Sequence, residues 1–318
     1  MSPAKSTANK NRASRKDRVF RGIVLAVALV ALSLPILIAA ELARTSGPSI
    51  HRFGWTFVYS RVWDVVHESY GALPFIFGTL VSSLLALIIA VPLGLGAALW
   101  LVETAPRLLR RPVGFLLELL AAIPSVVYGL WGAFVLVPLL RDRFEVPLTD
   151  RFPNLPLLSG QPLGYGMLAG GLILAIMVIP FIISASQQVL EAVPNSQREA
   201  ALGLGATKYE MIRTAVLPYA RSGVIGAIML GLGRALGETM AITMVIGNVP
   251  NLSLHLFDPA YTMASVLANE FTEASSDMHR SALIEVALLL FVIAILVNVL
   301  ARLLINSTAR RLAGAQKT

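Results

Sequence analysis

Apolar residues along this chain gather into six long, nearly unbroken stretches at 22–43, 73–102, 113–140, 163–190, 222–247 and 282–305. A helix needs about 20 such residues to cross a hydrocarbon core of about 30 Å, and each stretch is long enough. The pattern therefore predicts an all-α, polytopic membrane protein with six transmembrane helices. A short tail (1–21) precedes the first span and its following loop (22–72), a transmembrane domain covers 73–305, and a second tail (306–318) ends the chain. Composition agrees: of 318 residues 56% are hydrophobic and only 14% charged, whereas a soluble domain carries roughly a quarter charged residues. The first stretch also has the position of a cleavable signal peptide. Its uncharged core, 22–40, exceeds the usual apolar region of about 7–15 residues, which favours a retained anchor.

The net charge of +8 changes the picture less than it promises. Seven of the 26 Lys and Arg fall within residues 1–21, from Lys5 to Arg21, directly before an apolar stretch. That is the look of a cytoplasmic flank, so the expected contact is the lipid bilayer and no nucleic acid. The tail itself is too polar to build a core. With the N-terminus inside, the inner segments 1–21, 103–112, 191–221 and the tail from Arg302 carry 18 Lys and Arg. The outer loops 44–72, 141–162 and 248–281 carry seven, and Arg234 is left inside a span. Both termini are then cytoplasmic. The outer loops hold Trp55, Tyr59, Trp63, Phe152, Pro153 and Pro156, a composition of ordered rather than linker-like chain. Met263, Val266, Leu267 and Phe271 stand at helical spacing and predict a short amphipathic helix packed on the bundle. Pro180 predicts a kink in the fourth span.

The segment 191–221 is long for a tether. Ser196 and Glu199 have the spacing of a capping box, as do Thr207 and Glu210. Between them Gly203 and Gly205 can leave a helix with positive φ. Two short helices meeting at a glycine corner are expected, the second stopped by Pro218. Glu199-Ala200-Ala201, Gly205 and Leu217-Pro218 resemble the EAA signature of binding-protein-dependent ABC importer permeases, with Ala215 where that family usually has Ile. The resemblance implies that this loop docks into a groove of a cytoplasmic ATPase. Read without it, Glu199 is a helix cap and the glycines a turn.

In the fifth span Arg234 and Glu238 stand four apart on one predicted helix face, with Gly223, Ala227, Gly231 and Ala241. Small residues allow close helix approach, so this face is expected to point into the bundle. A charge at mid-membrane costs about 2.5–3.5 kcal/mol on insertion scales. Two readings stand: a pair that serves transport, and a pair that fixes packing. Arginine suits the first, because its planar fork of donors matches phosphate oxygens. Ser125, behind Pro124 in the third span, offers either a hydroxyl to the pathway or only a bend.

Gly231–Ala241 is similar to the PstC family, the permease subunits of phosphate-specific ABC importers. So are Gly78-Thr79-Leu80-Val81 with Ala90-Val91-Pro92, Glu118–Gly129, and Leu267–Phe271. The similarity spans about 70–305, and residues before 70 match in layout only. It implies the type I importer permease fold (MetI-like) in a bacterial plasma membrane. It also implies a homologous second permease (PstA-like), two ATPase subunits and an extracytoplasmic phosphate-binding protein, with phosphate as cargo. ATP and Mg would be bound by the ATPase; no cofactor is expected on this chain, which holds no P-loop pattern. The site residues implied are Arg234, Glu238 and Ser125 for the substrate pathway, and Glu199, Ala200, Ala201, Gly205, Leu217 and Pro218 for ATPase coupling.

Two other functions compete. A permease for sulfate or molybdate would have the same loop. A membrane-embedded hydrolase would need a nucleophile or metal cluster, yet His51, His67, His255 and His279 all fall in outer loops without H-E-x-x-H or G-x-S-x-G. They are expected to be surface histidines without partners, although His255 and His279 could lie close together. The chain has no cysteine.

Overall fold

The computed structural model describes residues 15–152, 157, 158 and 160–315. Pro153, Pro156, residues 1–14 of the basic tail and residues 316–318 lie outside them. The described residues form helices and two isolated bridges. The helices are α1 (Arg15–Thr45), α2 (Gly47–Phe53), α3 (Thr56–Tyr59), α4 (Leu73–Thr104), α5 (Arg107–Ala122) and α6 (Ser125–Arg151). They continue as α7 (Met167–Glu191), α8 (Asn195–Gly203), α9 (Lys208–Leu236), α10 (Met240–Thr243), α11 (Met263–Glu270) and α12 (Asp277–Ala315). Six of them, α1, α4, α6, α7, α9 and α12, are long and apolar enough to cross a membrane. The end of the bundle that holds Thr104, Glu191 and Lys208 is called lower here, and the opposite end upper.

The bundle is built around α7, which packs against α4 and α9. Glycines set the spacing. A Cβ on Gly171 would lie 2.4 Å from Leu85 of α4, and one on Gly231 of α9 would lie 2.9 Å from Val178 of α7. Without a hydrophobic driving force between helices in lipid, such close backbone approach is what holds them together. By contrast, α1 is exposed along nearly all its length, and Ser281 of α12 ties down its upper end through the Thr45 carbonyl at 3.2 Å. Helix α1 already begins at Arg15, so the last residues of the basic tail are helical.

Two spans depart from the sequence pattern. The third is two helices, not one: Ile123 is extended at φ −63°, ψ 129°, because the residue before a proline is pushed out of the helical region. The Tyr128 hydroxyl donates to the freed Leu120 carbonyl at 2.8 Å. Helix α6 then continues past Leu140 to Arg151, so residues 141–151 are helix rather than loop. The fifth span starts earlier and ends earlier than 222–247. Pro218 does not stop a short helix; a π-turn at Ile212–Val216 absorbs the missing amide, and α9 runs on from Lys208. It ends at Leu236, so residues 237–239 leave the helix inside the bundle. Helix α7 runs unbroken through Pro180.

A lid closes the upper end. Helix α11 lies on α4 with Met263 and Val266 buried, the short helix expected there. The Gly78-Thr79 pair seats it: the Tyr261 carbonyl fits where a side chain on residue 78 would be, 2.1 Å from an ideal Cβ. Thr79 Oγ1 donates to the Phe75 carbonyl at 2.8 Å and accepts from the Met263 amide at 2.9 Å. His51, His67 and His255 are exposed, as expected of surface histidines, but His279 is not. His279 is buried, stacks on Tyr70 at 5.5 Å and meets Glu270 at 3.2 Å, which also accepts from the Trp63 indole at 2.9 Å. His67 pairs with Asp64 at 2.7 Å. Aromatic neighbours and a fixed carboxylate draw His279 in, and periodicity shows neither.

Candidate functional site: two broken helices and a lower loop

The breaks in the third and fifth spans are neighbours. Gly129, one turn into α6, packs where a Cβ would lie 3.0 Å from the Ala241 backbone of α10, and Gly132 faces Val245 and Ile173. Their depth can be read against α7: Arg234 lies over the Phe181 ring at 5.2 Å, close to the middle of Met167–Glu191. Irregular backbone at that depth persists only where protein or a cavity satisfies it. Here the Glu238 carboxylate accepts from the Ala241 amide at 3.3 Å, and Thr243 Oγ1 donates to the Thr239 carbonyl at 2.6 Å.

Arg234 and Glu238 are brought together, 3.7 Å between Nη2 and Oε2, but not on one helix face. Arg234 is in the last turn of α9, and Glu238 lies beyond its end. Glu238 is buried while the Arg234 side chain is 40% exposed. At 3.7 Å the contact is an ion pair without a hydrogen bond, and among the described residues Arg234 donates to no hydrogen-bond acceptor. Its donors face an open side of the chain beside exposed Leu230, Gly233 and Gly237. Gly231, Ala227 and Ala241 are buried, and Gly223 packs against Val189, so the small-residue face does point inward. Ser125 opens α6 half-buried and bonds to neither member of the pair. Below the break a cleft of about 170 Å³ is lined by Gly114, Leu117 and Glu118 of α5 and by Ser184, Gln187 and Gln188 of α7. No motif marks the α7 residues of this cleft; their one signal in the sequence is polar spacing within an apolar stretch.

The lower loop forms as a helix and a corner. Helix α8 starts behind Pro194 without a side-chain cap, so the Ser196–Glu199 box does not form. Thr207 and Glu210 do form theirs: Thr207 N donates to Glu210 Oε2 at 2.8 Å and Glu210 N to Thr207 Oγ1 at 3.3 Å. Thr207 Oγ1 also donates to Glu210 Oε2 at 2.8 Å, and the two donations from Thr207, backbone first and side chain second, hold the exposed Glu210 carboxyl below its usual range. Gly205 has φ +86° and open space around its Cβ position, so the corner needs glycine for its backbone alone; Gly203 stays helical. The signature residues divide. Glu199 and Ala200 are exposed with Leu202, Leu204 and Tyr209, whereas Ala201 packs inward on the cluster of Val193, Met211 and Val216. Leu217 and Pro218 face elsewhere, into a groove of about 490 Å³ with Arg213 and Arg221. Arg198 and Glu103, which no motif in the sequence singles out, form a mostly buried ion pair at 2.9 Å.

The chain is similar in sequence and in fold to known proteins. The family described as "Binding-protein-dependent transport system inner membrane component" matches residues 90–312. A "Phosphate transport system permease protein PstC" of Haemophilus influenzae is 50% identical over 88% of this chain and 90% of its own. One of Mesorhizobium japonicum is 44% identical over 93% and 91%. A probable one of Methanocaldococcus jannaschii is 36% identical over 90% and 92%. Among solved structures, a bacterial ABC transporter involved in alginate import aligns over 90% of this chain and 98% of its own, with TM-score 0.52 at 19% identity. A chain of the inward-facing MetNI methionine transporter aligns over 73% and 91%, with TM-score 0.50 at 18% identity. These two show the fold alone.

Proposed function

The chain belongs to the PstC family of binding-protein-dependent inner-membrane permeases, and we propose from that membership that it forms one membrane-spanning half of an ATP-driven phosphate importer. The observation that carries the cargo is the Arg234 guanidinium, held at a mid-bundle helix break without a hydrogen bond and facing the open side. A planar fork of free donors in a low-dielectric setting suits the oxygens of a tetrahedral anion. Glu238, anchored on the Ala241 amide, keeps the guanidinium in place and limits net charge so that the anion can leave. Ser125 supplies an uncharged hydroxyl near the second break.

The open side of Arg234 calls for a second wall, which a homologous PstA-like permease supplies. The lid at the upper end receives an extracytoplasmic phosphate-binding protein. The exposed tip Glu199, Ala200, Leu202, Leu204 docks on one of two ATPase subunits, which bind ATP and Mg. This chain hydrolyses nothing. The excess of Lys and Arg on the lower segments sets that end, and both termini, in the cytoplasm.

The test is reconstitution of the chain with its second permease, ATPase and binding protein in vesicles. Labelled phosphate should enter only with ATP and only with all four components, and excess sulfate or molybdate should not compete. Equal competition by sulfate would overturn the phosphate assignment, and full uptake without a second permease would overturn the heterodimer.

A further inference from the structure

The lower end contains a side-chain hub that the transport reading above does not use. Arg198, in α8, directs its guanidinium upward into the bundle rather than down toward the exposed tip. Nε and Nη2 both donate to Glu103 Oε1, at 3.0 and 2.9 Å. Nη2 also donates to the Leu190 carbonyl at 2.8 Å. Nη1 donates to the Val193 carbonyl and, at 3.3 Å, to Asn195 Oδ1. Five hydrogen bonds from one guanidinium therefore join three elements: the π-turn that ends α4, the last turn of α7 with the chain just after it, and the start of α8. The side chains are 15% and 6% exposed.

Such a hub has a mechanical consequence. The Leu190 carbonyl belongs to the last turn of α7 and the Val193 carbonyl to the chain two residues beyond its end; a cation beside such a helix C-terminus is favoured by the helix dipole. A lysine ammonium could neutralise Glu103 but could not spread five donors over these acceptors in one plane. Helix α4 and α7 are the pair that carries the core, and α7 holds Phe181 beneath Arg234. A displacement of α8 is thus delivered to both core helices through one rigid group, not through the flexible turn at 192–194.

We propose that Arg198 is a positioning residue that transmits movement of α8 to α4 and α7, with Glu103 as its anchor. It acts through the bundle and not by touching the ATPase. The inference rests on the docking role given to α8, and the variants separate the two.

The assembled importer would be prepared with Arg198→Gln, Arg198→Lys and Glu103→Gln, beside Gly205→Val as a docking control. Three quantities are read: co-purification of the ATPase, ATP hydrolysis stimulated by the phosphate-loaded binding protein, and phosphate imported per ATP. Arg198→Gln should keep the ATPase bound and lower phosphate imported per ATP at least tenfold. Arg198→Lys and Glu103→Gln should lie between it and the unmodified protein. Native import per ATP in Arg198→Gln or Arg198→Lys overturns the proposal. Loss of the bound ATPase in Arg198→Gln but not in Glu103→Gln also overturns it, by showing direct contact with the partner. If all three variants are absent from the membrane, the hub serves assembly only and the coupling role is lost. Because the chain lacks cysteine, Glu103→Cys with Arg198→Cys provides a further check. A short reducible thiol cross-linker between them should restore import per ATP, and reduction should abolish it; equal values before and after reduction count against the hub. If Gly205→Val alone leaves coupling intact, the docking reading fails instead.

Discussion

Arg234 and Glu238 stand 3.7 Å apart across the end of a helix, with the carboxylate also accepting from the Ala241 amide and the guanidinium making no hydrogen bond. The two partners are therefore unequal. Glu238 is fixed by the backbone that follows it, whereas Arg234 is fixed by Glu238 and Phe181 and is free to engage a third group.

That inequality separates the transport role from a packing role. Arg234→Gln should abolish uptake, by on the order of 100-fold if a charge-assisted contact with the moving anion is lost, while the complex still assembles. Glu238→Gln should be milder, because its amide can still approach Ala241 only through its oxygen, and Arg234 loses a competitor of the anion. The measurement that decides is uptake by an assembled double Gln variant. Near-native uptake there would show that the pair only fixes packing.

At the lower corner, Gly205→Val should fail through backbone strain and not through a clash, since no atom lies near its Cβ position. A β-branched residue at φ +86° costs roughly 1–3 kcal/mol. The expected outcome is membrane insertion at the native level with loss of coupled uptake. Gly205→Asn, which tolerates positive φ better, should retain more of it, and equal loss in both would point to a need for small size.

Thr79→Val should destabilise the lid. It removes the acceptor of the buried Met263 amide, and an unsatisfied buried donor costs about 1–3 kcal/mol. Thermal unfolding of the purified complex should occur at lower temperature, with Thr79→Ser close to native. Gly78→Ala should be worse than Thr79→Val, because the Tyr261 carbonyl is backbone and must move.

Alkali should weaken the same lid. Burial raises the Tyr261 phenol from 10 to about 12, with its oxygen accepting from Asn269 at 3.1 Å. The native state then holds a proton that the unfolded chain has lost, so stability is full below pH 10 and falls as pH rises toward 12. The loss approaches roughly 2–3 kcal/mol. Tyr261→Phe should flatten the pH dependence of unfolding in that window, and an unchanged slope would contradict the assignment.

Four of the six spans were legible in the sequence because lipid rewards the same feature that a hydropathy window measures. The other two were legible as apolar stretches, but neither their ends nor their breaks were. Hydropathy averages over side chains, and the breaks at Ile123-Pro124 and Gly237–Thr239 are backbone events whose orphan groups are satisfied by Tyr128 and Glu238, each visible only once the chain is folded. The pairing of Arg234 with Glu238 was readable from spacing, but the helix end between them was not. Arg198 and Glu103 are 95 positions apart, and in sequence each is only a charge beside a span. The Thr207–Glu210 cap, by contrast, is local, and local chemistry was enough to foresee it. The Ser196–Glu199 cap was foreseen and does not form, because Pro194 already sets the start of α8 in its place.

A helix that stops at mid-bundle leaves its carbonyl end there. The end of α9 carries the equivalent of about half a negative elementary charge, and Glu238 adds a full one against the single positive charge of Arg234. An anion passing Arg234, as the proposed role requires, would meet surroundings that are slightly negative in sum and would not be held there for long. On the transport role proposed above, speed of passage and tightness of capture would then belong to different molecules: a permease that holds the anion weakly, and a delivering protein that captures it selectively.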